Sequence, residues 1–154
     1  MNYIEITTCD VANGEDFGVV LWVSGCDIRC KGCHSEGTWD PEAGKPFDRD
    51  AIEKLCKELE KPYINRLTIS GGHPLMPCNR ENVRMLLQKI KLNYPDIEVW
   101  LYTGYDYDKL DNECKYICEN LCDVVVAGPF IEEQKDLSLP FVGSKNQKII
   151  RITK

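Results

Sequence analysis

Apolar and polar positions along the chain fall into two alternating rhythms. Short runs of β-branched and aromatic residues recur at 18–23 (GVVLWV), 66–70 (RLTIS), 97–102 (IEVWLY), 123–127 (DVVVA) and 148–152 (KIIRI). Several are apolar at successive positions, the pattern of strands covered on both faces in a parallel sheet. A further run at 3–6 (YIEI) adds an edge strand. Between these runs the period changes to that of amphipathic helices. Ile52, Leu55, Cys56 and Leu59 follow i, i+3, i+4, i+7, with Asp50 and Glu53 supplying an N-terminal cap. Val83, Leu86, Leu87 and Ile90 repeat the pattern, and Leu110, Cys114, Ile117, Cys118 and Leu121 repeat it again. Repeated strand–helix units predict right-handed crossovers and a parallel sheet. The units are too few for eight strands, so the predicted fold is α/β, a single-domain partial (open) β/α barrel.

The segments that break the rhythm follow the strands. SGCDIRCKGCHSEGTW (24–39) comes after the first strand, GGHPL (71–75) after the second, TGYD (103–106) after the third and AGPF (127–130) after the fourth. Carboxyl ends of strands are where α/β sheets and barrels assemble their sites. Four unusual loops on one rim point to a site more strongly than any one of them.

Length and charge narrow the picture. The chain of 154 residues fits one domain with a sizeable core. A formal net charge of -6 argues against non-specific nucleic-acid binding and against docking on an anionic membrane. No run is long enough to span a bilayer, and the first residues, MNYIEITTCDVANG, carry neither a basic stretch nor an apolar core. The expectation is a cytoplasmic protein. There, nine cysteines suggest metal or redox chemistry, and an odd number forbids a complete disulfide framework within one chain.

Cys26, Cys30 and Cys33 form CxxxCxxC, with Gly25 and Gly32 allowing the backbone to turn tightly. Thiolates select zinc, copper(I) or iron–sulfur clusters. Structural zinc normally closes four ligands, so it would need a remote cysteine or His34 here. A [4Fe–4S] cluster accepts three thiolates when its fourth iron binds something else. Three partly buried loop cysteines with no metal are the remaining reading.

These residues carry a resemblance. CxxxCxxC after the first strand is similar to the motif of the radical S-adenosylmethionine (SAM) superfamily. NGEDFGVVLWVSGCDIRCKGCHSEGTWDPEAGKPF (13–47) resembles, nearly throughout, the opening segment of the activating proteins of anaerobic (class III) ribonucleoside-triphosphate reductases. TISGGHPL, VWLYTGY, VVVAGPF and GSKNQKII resemble the later blocks of that family in the same order, so the likeness covers nearly the whole chain. Two positions depart from it: His73 stands where the family usually has an acidic residue, and Ser35 where asparagine is expected.

The resemblance implies one radical SAM domain over 1–154, with Cys26, Cys30 and Cys33 holding a [4Fe–4S] cluster in the loop 24–39. The amine and carboxylate of SAM would occupy the open iron. One electron from the cluster would then give methionine and a 5′-deoxyadenosyl radical, the cofactor supplying the difficult chemistry. Ser70, Gly71 and Gly72 resemble the segment that receives the methionine part, and His73 occupies its acidic position. A neutral imidazole cannot form that ion pair, so backbone recognition is expected to dominate, and His73→Asp or His73→Glu is expected to keep SAM binding. Thr103 and Gly104 fall where the ribose or carboxylate would be contacted, and Gly128, with Pro129, where adenine would pack. SAM-binding loops thus extend to about residue 130, and the segment 128–154 faces a partner.

The implied partner is the glycyl-radical subunit of anaerobic ribonucleoside-triphosphate reductase, with a flavodoxin or ferredoxin as electron donor and a homodimer by analogy. His34 receives no role, and Trp39 is assigned to packing. Cys114, Cys118 and Cys122, spaced i, i+4 and i+8, read as core residues of a helix. The rival readings are an activator of another glycyl-radical enzyme of the pyruvate formate-lyase type and a small-molecule radical SAM enzyme. From a different class come an iron–sulfur electron carrier and a structural zinc module. A carrier would normally use four cysteines, and a zinc module would be colourless.

Overall fold

The computed structural model describes residues 1–153. Among them, seven strands form one sheet and three α-helices pack against it. Strand β1 (Asn2–Asp10) runs antiparallel to β2 (Gly18–Val23), and the short β3 (Lys45–Pro46) lies outside β1 at one edge. From β2 the chain passes through helix α1 (Arg49–Leu59) to β4 (Arg66–Gly71), then through α2 (Pro77–Asn93) to β5 (Glu98–Thr103). Helix α3 (Asn112–Leu121) leads to β6 (Val124–Ala127), and β7 (Lys148–Arg151) closes the far edge. The spatial order is β3-β1-β2-β4-β5-β6-β7, with β2, β4, β5 and β6 mutually parallel.

The order of the four parallel strands never reverses. Crossovers of one hand that always step in the same direction put every connecting helix on one side. Val19, Leu21, Leu67, Ile69, Val99, Leu101 and Val125 point to that side and share one core with Leu55 of α1, Val83 and Leu87 of α2, and Ile117 of α3. Side chains alternate across a strand, so the residues between them face the other way. There Trp100, Val124 and Val126 form a second, smaller cluster with Tyr102, Phe141 and Val142.

That second face also buries a charge. Arg66 is wholly inaccessible; its Nη2 donates to the Asp10 carboxylate at 3.0 Å and to the Asp10 carbonyl at 2.8 Å. Its Nε and Nη1 find no acceptor among the described residues. The bond anchors the β1–β2 connection across the sheet.

The structure differs from the sequence expectations at the margins. Residues 148–151 form an antiparallel, largely exposed strand, because the chain returns from β6 through a long loop and not through a crossover helix. The first strand is longer than 3–6 and is not at the edge, since Asn2 and Tyr3 pair with Pro46 and Lys45. Helix α1 is capped by Asp48, whose side chain accepts from the Ala51 amide at 3.0 Å, and not by Asp50, which lies in its first turn. No helix among the described residues is long and apolar enough to cross a membrane.

Candidate active site

The loops after β2, β4, β5 and β6 meet around one open cavity of about 520 Å³ on the face that the helices leave free. Cys26, Cys30 and Cys33 line it from the loop after β2. Ser70, Gly71, Gly72 and His73 line it from the end of β4, Thr103 and Gly104 from the end of β5, and Gly128 from the end of β6. These ten residues therefore border the same space, whereas Pro129, also expected beside adenine, is not among those that line it. His34 lies at the cavity too, exposed to solvent.

The cysteine loop is held by its own backbone. The amides of Gly25 and Cys26 donate to the carbonyls of Thr38 and Trp39 at 2.7 and 3.1 Å, and the Cys33 amide donates to Cys30 at 3.2 Å. Arg29 adopts the left-handed conformation (φ 49°), which swings the chain between Cys26 and Cys30. The Ser35 amide donates to the Cys33 Sγ at 3.4 Å. All three thiols are free and partly buried. Burial pushes the Cys30 thiol up; a Phe130 backbone hydrogen bond pulls it down, and Cys33 and Cys26 push it up again. Thiols that oppose one another's ionisation are stabilised as thiolates by a cation among them.

The residues present fit an iron–sulfur cluster. No three His, Cys, Asp or Glu side chains among the described residues converge tightly enough for a single ion. A cubane cluster does not require such convergence, because each thiolate binds a different iron. Trp39 also lines the cavity, and its indole N–H is buried without an acceptor among the described residues. One donor to sulfur is thus in place at Ser35, and a second donor stands unassigned in the wall.

Two glycines explain how the cysteine loop comes so close to the strand ends. A Cβ on Gly72 would stand 2.3 Å from the Gly25 carbonyl oxygen, and one on Gly104 would stand 2.7 Å from Cγ1 of Ile28. Their small size is used by the cysteine loop, which rests directly on both positions. The amides of Gly72 and His73 donate to Val23 and Gly25 at 2.8 and 2.6 Å, completing the junction.

His73 is buried, and both of its ring nitrogens are engaged. Nδ1 stands 2.6 Å from Oδ1 of Asp27, and Nε2 stands 2.9 Å from the Thr103 hydroxyl. Tyr105 donates its hydroxyl to the other Asp27 oxygen at 2.6 Å and stacks edge-on against the imidazole at 4.1 Å. Burial lowers the pKa of His73, opposed by Asp27. With neutral imidazole, Nδ1–H donates to Asp27 and Nε2 accepts from Thr103, which in turn accepts from the Tyr105 amide at 3.1 Å. Burial raises Asp27, but hydrogen bonds from Tyr105 and His73 outweigh it and hold the carboxyl below its usual range. Burial and the Asp27 bond push Tyr105 upward, so it remains a donor.

Sequence reasoning passed over Asp27, Tyr105 and Asn79. Asp27 occupies a variable position of CxxxCxxC, and its partners lie far away in the chain. Asn79 is buried in α2, where its amide donates to the Ser24 and His73 carbonyls at 2.8 and 3.1 Å. The available signal was a carboxylate inside the cysteine loop together with an imidazole where an acid is usual.

The far wall of the cavity comes from the segment after β6. Tyr102 donates its hydroxyl to the Phe141 carbonyl at 2.8 Å, Asn146 donates to Pro129 at 2.7 Å, and Gln147 donates to Gly128 at 3.0 Å. Phe141, Val142 and Leu139 thereby line the cavity, and Leu137 projects from its lip, 84% exposed.

Comparison with known proteins gives the same address. Residues 12–150 match the family of 4Fe-4S single cluster domains. An anaerobic ribonucleoside-triphosphate reductase-activating protein of Haemophilus influenzae is 40% identical over 98% of both chains. Proteins of the same name from Vibrio cholerae and from enterobacteria phage T4 are 39% and 36% identical. The matches cover 99% of both chains for the first, and for the second 97% of this chain and 93% of the phage protein. On matches of that length and identity, the chain belongs to the family of anaerobic ribonucleoside-triphosphate reductase-activating proteins.

Proposed function

We propose that this protein is a radical SAM activase that generates the glycyl radical on an anaerobic ribonucleoside-triphosphate reductase. The observation that carries the reading is the convergence of three free thiols and the loops after β4, β5 and β6 on one open cavity. Full-length similarity to activating proteins supports the choice of partner. The four parallel strands with all helices on one side support a partial β/α barrel, folded as one domain.

Cys26, Cys30 and Cys33 would hold the [4Fe–4S] cluster, leaving one iron for SAM. Held there and reduced, such a cluster would supply the electron that cleaves the SAM sulfonium to methionine and a 5′-deoxyadenosyl radical. The chain's own part is to bind, orient and shield. The Ser70–Gly72 backbone would receive the methionine part, with a carbonyl accepting from its ammonium. Thr103 and Gly104 would meet the ribose or carboxylate, and Gly128 the adenine. The apolar wall of Phe141 and Val142 excludes water from one side of the cavity. The lip carrying Leu137 would meet the glycine-bearing loop of the reductase, and a flavodoxin or ferredoxin would deliver the electron.

The test is anaerobic reconstitution of the purified chain with iron and sulfide, followed by reduction with SAM and the reductase. Deoxyadenosine and a glycyl-radical EPR doublet on the reductase are expected. Deoxyadenosine without the doublet would contradict the choice of partner, and neither product would contradict the enzymatic reading.

A further inference from the structure

The loop that bears the three thiols is tied to the strand ends by the side chain of Asp27, in addition to the packing of Ile28 on Gly104. Asp27 lies between Cys26 and Cys30, and each of its carboxylate oxygens takes a hydrogen bond from outside the loop. His73 supplies one from the end of β4 and Tyr105 the other from just past β5, both at 2.6 Å. The second nitrogen of His73 is fixed by Thr103 at 2.9 Å, and its carbonyl is held by Asn79 of α2 at 3.1 Å. The imidazole is 1% exposed, so its edges are occupied by protein.

We propose that the Asp27–His73 contact, closed by Tyr105 and Thr103, is a clasp that positions the cysteine loop. Residue 73 is then a positioning residue for the thiols and not a partner of the ligand's amine. The inference rests on the radical SAM reading of the cavity. Both oxygens of a carboxylate that accept from fixed donors leave it little freedom to swing, and the hydrogen bonds are of the charge-assisted kind. Cys26 and Cys30 flank Asp27, so their spacing is set by where that carboxylate is pinned. Each ring nitrogen of His73 has its partner inside the protein, which leaves the backbone around Gly71 and Gly72 to face a ligand.

The test is iron release. Reconstituted wild type, Asp27→Ala, His73→Ala and the double variant are exposed to a ferrous-iron chelator under anaerobic conditions, and the melting temperature of each apoprotein is recorded. Asp27→Ala removes both hydrogen bonds that end on the carboxylate and is expected to release iron at least about tenfold faster. Its apoprotein loses the same two bonds and is expected to melt somewhat below wild type, so release is compared well below both transitions. His73→Ala empties a buried space and lowers the melting temperature, so the coupling is read from the double variant. One shared clasp predicts release no faster than that of the more affected single variant. Asp27→Asn, which keeps the volume and one acceptor oxygen, is expected to show a smaller acceleration. Unchanged release in Asp27→Ala, or multiplied effects in the double variant, would overturn the clasp. So would His73→Ala that loses SAM binding while retaining iron as wild type does. A wild-type protein that takes up no cluster would overturn the underlying reading of the cavity together with the clasp.

Discussion

The nine cysteines separate by environment more than by spacing. Cys114, Cys118 and Cys122 share the arithmetic of a ligand set, yet all three are wholly buried in the core against the sheet. Burial raises the thiols of Cys114 and Cys118 to about 12, so neither ionises near neutrality. Cys9 and Cys78 are exposed. Brief alkylation of the folded apoprotein at pH 8, read by peptide mass, is therefore expected to modify Cys9 and Cys78 and to spare Cys114 and Cys118. Cys26→Ala, Cys30→Ala and Cys33→Ala are each expected to lose the cluster, seen as lost visible absorbance and lost deoxyadenosine formation. Cys114→Ser is expected to keep both, and equal loss there would give the second triplet a functional role. His73 shows what a linear reading misses. Its position marked it as a ligand contact tolerant of an acid, but its hydrogen bonds reach 46 residues back and 30 forward. An aspartate at 73 would face Asp27 with no donor between two acceptor-only groups, so His73→Asp is now expected to loosen the cysteine loop.

At the scale of elements, periodicity located every strand and helix that builds the site, because each is amphipathic or fully buried over several turns or pleats. It did not set direction at the edges. β7 follows a connection without an α-helix, and only its pairing with β6 shows that it is antiparallel. The α1 cap moved to Asp48 because a cap is decided by one side chain reaching one amide. The resemblance placed Gly72 in the methionine-receiving segment; the structure adds that its lack of a side chain makes room for the Gly25 carbonyl. Gly72→Ala is expected to lower stability by about 1–3 kcal/mol, the range for overpacking a filled space, and to accelerate iron loss. Denaturant unfolding and chelator release check the two halves. On the other side of the sheet, Asp10→Ala would leave the Arg66 guanidinium buried without its carboxylate. A loss of about 3–5 kcal/mol is expected, measured as a fall in the urea midpoint at constant slope.

For the whole molecule, the arrangement that matters is one-sided. Three helices cover one face, and four loops and the segment after β6 enclose an open cavity on the other. The convergence of these loops was legible from their positions after successive strands, since parallel strands put equivalent ends on one rim. The wall made by Phe141, Val142 and Leu139 was not, because nothing local says that residues 129–147 fold back over the sheet through Tyr102 and Gln147. Leu137 on the lip is solvent-facing and contributes little to the fold, so Leu137→Glu is expected to leave melting temperature and deoxyadenosine formation intact. It is expected to reduce glycyl-radical yield on the reductase about tenfold or more, as loss of a buried apolar anchor does at protein interfaces. On the reading proposed above, the three thiols of this cavity hold a cluster whose open iron is used on SAM, and anaerobic reconstitution tests it. The chain is reconstituted anaerobically, its iron and sulfide are counted, and deoxyadenosine is measured after reduction with SAM. About four irons and four sulfides per chain, with deoxyadenosine formed only when SAM and reductant are both present, is the expected result. A colourless protein binding one zinc, or a four-iron protein that leaves SAM intact, would contradict it.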